Sequence, residues 1–280
     1  MSTQTDGESR RQRRSPAGVV LEVLRFEGQQ RVRVTAVLAV VFTLFAGLFL
    51  WIAPDVVATD EYADLLETMP PALTALFGFE NVSSVAGLIA GEYYTFTIVV
   101  GLAGYLAYSA AGTVAGDLRA GRLETLLAAP VSRSTVLLGK FLALLVQILV
   151  LNIVVPLVLF VGSHLADTPI PLADLAVVHV LAIPYLLCWS GVGLFAGVVV
   201  RRGRTAGRVA VGVLLGTWLV ESAVVATDYE WVGAVSPMRY FEPSAVLVDG
   251  RVDFLGTALL LAVTLLFVGA SLAWFQRRDL

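Results

Sequence analysis

The sequence predicts an all-α integral membrane protein with six transmembrane helices, and three observations carry that prediction. The first is composition. Hydrophobic residues make up 58% of the 280 and charged residues only 15%, where a soluble domain carries about 25% charge. Mean hydropathy is +0.82. The second is the set of windows long and apolar enough to cross about 30 Å of hydrocarbon, which takes roughly 20 residues. They fall at 34–53, 93–115, 141–162, 175–200, 209–227 and 254–275. The first, second and last hold no Asp, Glu, Lys or Arg. The third is where the basic residues lie. Of 19 Lys and Arg, seventeen precede the first span, separate spans two and three or spans four and five, or follow the last; only Arg239 and Arg251 lie on the other side. Cytoplasmic loops carry the Lys and Arg excess, so a multi-pass protein of the cell membrane with both termini cytoplasmic is expected.

Residues 1–15 read as a disordered, solvated cytoplasmic tail, and 16–280 as one six-span domain with no separate soluble unit. The polar lead of 33 residues and an apolar stretch longer than the 7–15 residues typical of a signal core argue against a cleavable signal. "SRRQRR" at 9–14 is too far from any apolar segment for a twin-arginine signal. From Ser15-Pro16 onward, Val19, Val20, Val23, Leu24 and Phe26 alternate with Glu22, Arg25 and Glu27. That pattern predicts a short amphipathic helix in the inner interface before span one.

The first outer loop carries Asp55, Asp60, Glu61, Asp64, Glu67 and Glu80 and no basic residue; its "TMPPALTALFGFENV" (68–82) predicts a short interfacial helix. Asn81-Val82-Ser83 is a glycosylation sequon, a weak signal. The last outer loop holds "WVGAVSPMRYFEPSAVLVDG" (231–250), broken by Pro237 and Pro243 and too short and polar to span. Re-entrant or interfacial helices covering the outer end are expected there. GxxxG pairs at Gly112/Gly116, Gly193/Gly197 and Gly212/Gly216 allow close helix approach.

Chemistry inside the spans is sparse. No Ser/His/Asp group, no HExxH and no facing pair of intramembrane carboxylates occurs, so neither a catalytic residue nor a metal site is expected. Cys188 reads as a small buried hydrophobe, His179 as a wet interfacial side chain near the outer end of span four, and His164 as a loop residue. Glu221 is the only acid inside a predicted span; it faces either a cavity or headgroup water. Gln147, Asn152, Pro156 and Pro184 fit a lined path and ordinary helix packing equally. Gly139-Lys140 is followed by Phe141 and lacks the upstream glycine of a phosphate-cradling GxxxxGK[ST] loop. Uphill transport would therefore draw its energy from another protein. No nucleic-acid partner is expected.

The polar piece "GDLRAGRLETLLAAPVSRSTVLLGK" (116–140) is the place for such a contact. On a helical wheel Leu123, Leu126 and Leu127 share one arc, with Gly121, Glu124, Thr125 and Ala128 opposite and Arg119 and Arg122 flanking. Pro130 stops this helix, and Ser132 or Ser134 can cap the next. Spacing alone fits a solvated loop with an interfacial helix just as well. The run "DLRAGRLETLLAAPVSR" (117–133) followed by Gly139-Lys140 resembles the signature of type-2 ABC transporter permeases, the export-type membrane subunits. The likeness extends over the whole chain, to the broken outer segment before span six and the terminal "FQRRDL". It departs at Asp117, where the family often has Glu.

The resemblance implies a cytoplasmic coupling helix between spans two and three that docks into a separate ATPase subunit. Asp117, Arg119, Gly121, Arg122, Glu124, Leu127, Pro130, Ser132, Arg133 and Lys140 are its expected coupling residues. Glu221, Gln147 and Asn152 are candidates for the translocation path. It further implies a permease that binds no cofactor of its own, ATP and Mg in the partner, and a second permease protomer, identical or related. A non-transporting membrane anchor or sensor is the alternative.

Overall fold

The computed structural model describes residues 16–59, 64, 66–79, 83–119, 132–200 and 202–277. Those residues form helices and their connections, with no strand among them, as chains must when their backbone polar groups are satisfied within each segment in lipid. Six helices are long and apolar enough to cross a membrane. Below, the end carrying the connections after Arg119 and after Val199 is called inner, and the opposite end outer.

Helix α1 (Pro16–Val57) is a single helix of 42 residues, about 63 Å long at 1.5 Å per residue. The amphipathic segment expected before span one is thus continuous with that span. Gly28 is the only residue of low helix propensity near the expected break, and one glycine costs only about 1 kcal/mol. Helix α2 (Pro71–Phe77) occupies the first outer loop, begins at a proline and ends at Gly78 with φ 79°. Gly78 presses on Gly91, where a Cβ on either would overlap the other's backbone.

Span two begins earlier than its apolar window. It runs as α3 (Val85–Leu88), two π-helical stretches (Ile89–Tyr93 and Thr95–Leu102) and α4 (Ala103–Arg119). Glu92 therefore lies within a spanning helix, and Glu221 is not the only such acid. The apolar window stops short of it because the Glu92 carboxylate, beside Gly91 and the Tyr93 phenol, lowers the local average. Spans three and four are α5 (Arg133–Leu165) and α6 (Leu172–Val199). Span five is α7 (Gly203–Val224) and span six is the final helix, Phe254–Arg277. Between them the outer segment folds as 3-10 turns Glu230–Val235 and Pro237–Tyr240, then α8 (Pro243–Leu247). Pro237 and Pro243 each open a turn, where a missing N–H costs nothing. The final helix is α9.

Span four lies at the centre, packed on α4, α5, α7 and α9. It touches α4 backbone to backbone: a Cβ on Gly193 would meet the Ala107 carbonyl, and one on Gly197 the Ala111 carbonyl. A Cβ on Gly212 or Gly216 would meet nothing among the described residues, and both lie on the exposed side of α7. Gly112 also faces open space. The Gly193/Gly197 pattern thus builds the bundle. Cys188 is buried in its centre, and the Phe241 ring stacks on Tyr185 at 5.2 Å to cover the outer end.

Candidate functional site

At the inner end, two charges on α1 reach across the bundle. Glu27 and Arg31 are one turn apart, so both face the same side. Lys140, in the second turn of α5, is 3% exposed, and its ammonium donates to Glu27 Oε1 at 2.5 Å. Arg31 lies 3.9 Å from the other Glu27 oxygen. It donates through Nη1 to Ser109 Oγ at 2.6 Å and through Nη2 to Thr113 Oγ1 at 3.0 Å, both on α4. A buried ammonium is tolerable only when paired, and here the pair ties α1 to both helices that flank residues 120–131. Glu27 and Arg31 escaped the sequence reading as site residues; their i,i+4 spacing was the available signal.

The predicted coupling residues divide by position. Ser132 caps α5, its hydroxyl accepting from the Thr135 amide at 3.2 Å. Arg133 is the first residue of α5, and Asp117 and Arg119 lie in the last turns of α4. Gly121, Arg122, Glu124, Leu127 and Pro130 lie outside the described residues.

The three path candidates are not brought together. Asn152 and His179 form a buried pair, with His179 Nδ1 2.8 Å from Asn152 Oδ1. His179 is 2% exposed, which corrects the wet interfacial position expected for it. Helix α6 begins at Leu172, so His179 lies two turns below the outer end and faces α5. Gln147 Nε2 donates at 3.4 Å to the Tyr105 hydroxyl. Glu221 stands apart at the outer end of α7, where Arg239 lies 3.9 Å away. Arg239 in turn donates to the Glu230 carbonyl at 2.6 Å and its carboxylate at 2.5 Å. Gly233 packs so close to the Glu221 carboxylate that a Cβ would displace it. Glu221 thus anchors its own chain's outer segment. Arg251, the other outer basic residue, is exposed, and its hydrogen bond to Asp249 at 2.6 Å raises its pKa further. No cluster of His, Cys, Asp and Glu suited to a metal occurs among the described residues.

A family model described as ABC-2 family transporter protein matches residues 21–280. The chain belongs to that family. No curated protein matches it. As an ABC-2 permease, it is a multi-pass membrane subunit of an ABC transporter and not itself the catalytic component. In this permease the matched region begins just before Glu27 and includes every residue of both polar clusters.

Proposed function

We propose that this chain is the permease of an ATP-driven exporter, with both termini cytoplasmic and energy supplied by a separate ATPase that binds ATP and Mg. Residues 117–133 are the docking element. The observation that supports this reading is the Glu27 cluster, which braces both helices entering and leaving that element against α1. A solvated loop would need no buried brace. In this reading Glu124 pairs with a basic group of the ATPase, and Arg133 holds the elbow or pairs with an ATPase carboxylate.

Two bundles, identical or related, form the working unit. The exposed stripe Val209, Gly212, Val213, Gly216 and Val220 on α7 supports a second protomer there, since small residues let membrane helices approach closely. Gln147 and Asn152 lie inside the protomer, and Glu221 at its outer rim, so a path between protomers would meet Glu221 before either of them.

The test is co-purification with a candidate ABC ATPase subunit co-expressed with this chain, followed by ATP hydrolysis in proteoliposomes. Glu124→Lys and Arg133→Glu should each weaken ATPase capture or uncouple hydrolysis while the six-span subunit still inserts. Full capture and unchanged hydrolysis in both variants would reduce 117–133 to a loop and favour the anchor reading.

A further inference from the structure

The buried pair in the outer half of the bundle is incomplete. Asn152 Nδ2 donates to the Ile148 carbonyl at 2.9 Å, which fixes the amide orientation and turns Oδ1 toward His179. An amide oxygen only accepts, so His179 Nδ1 must carry the proton. The opposite ring nitrogen, Nε2, is then a bare acceptor. It is buried and has no hydrogen-bond partner among the described residues. The Tyr94 ring lies 5.5 Å from the His179 ring. Tyr94 is fully buried, and its hydroxyl also lacks a partner among the described residues. One acceptor and one donor, both buried, thus lie on neighbouring rings, and each is destabilising if left unpaired. Tyr94 sits at the junction of the two π-helical stretches, a winding that is frequent at functional sites.

We propose that His179 Nε2 and Tyr94 Oη together bind one small hydroxylic ligand, with water as the resident occupant. One oxygen satisfies both: its hydrogen is donated to Nε2, and its lone pair accepts from the tyrosine hydroxyl. The site lies seven residues below the outer start of α6, about 10 Å deep at 1.5 Å per residue. With the occupant in place it would link span two, span four and, through Asn152, span three by hydrogen bonds.

With two histidines in the chain, the site can be read directly. The full-length His164→Gln protein, carrying heavy-nitrogen histidine and a histidine-free affinity tag, is placed in phosphatidylcholine–phosphatidylglycerol nanodiscs. Solid-state NMR of the remaining histidine should show Nδ1 protonated and Nε2 shifted from its free lone-pair position by an accepted hydrogen bond. It should also show a water cross-peak to the ring Cε1–H, which Tyr94→Phe weakens. A protonated Nε2, an Nε2 at the free lone-pair position, or absence of the water cross-peak would each overturn the proposal. A hydrogen-bonded Nε2 without that cross-peak is a direct tyrosine–histidine bond and overturns it too.

Discussion

Glu27 serves two cations at once, and that asymmetry predicts how its variants differ. Glu27→Gln removes the one carboxylate that Lys140 and Arg31 share. Lys140→Met leaves Glu27 its weaker contact with Arg31 at 3.9 Å. Breaking a buried pair by removing one partner costs about 3–5 kcal/mol, whereas replacing both partners is often close to neutral. Glu27→Gln should therefore lower the thermal midpoint of the purified subunit more than Lys140→Met. The double variant Glu27→Gln/Lys140→Met should melt above Glu27→Gln alone. Additive losses across this double-mutant cycle would show that the two side chains act independently.

Among the elements, α6 and α7 carry the same GxxxG pattern to different ends. Gly197 has the Ala111 carbonyl against it, so Gly197→Leu must push α6 away from α4 and should abolish recovery of monodisperse subunit. Gly216 has open space, so Gly216→Leu should leave the protomer's yield and melting unchanged. If the α7 stripe pairs protomers, the same variant should convert dimers to monomers in light scattering. Unchanged oligomer mass would place lipid against that stripe. The outer segment argues similarly: Pro237 and Pro243 announced two breaks in the sequence, and both breaks are present. That Gly233 packs against Glu221 was not announced, because the contact joins residues 12 positions apart through a turn.

For the molecule as a whole, the seventeen-to-two division of basic residues predicts an orientation that labelling can check. In a Cys188→Ala background, single cysteines at 62 and 168 should react with an impermeant thiol reagent applied to intact cells. Cysteines at 125 and 205 should not. Reaction at 125 would reverse the topology and move 117–133 to the wrong side for the proposed ATPase contact.

Six spans, the outer proline breaks and a serine cap on α5, at Ser132 or Ser134, were all legible in the sequence, because each follows from local composition or from a side chain reaching its own backbone. Span ends were less so: α1 and α4 continue well past their apolar windows, since hydrophobicity marks where lipid lies and not where a helix stops. The partners of the polar residues were hidden altogether. Glu27 meets Lys140 across 113 positions, and Asn152 meets His179 across 27. Insertion into a bilayer is decided residue by residue along the chain. Which buried donor faces which acceptor is decided only when helices pack, because rotating α6 about its axis would leave its hydropathy unchanged and send His179 to another neighbour.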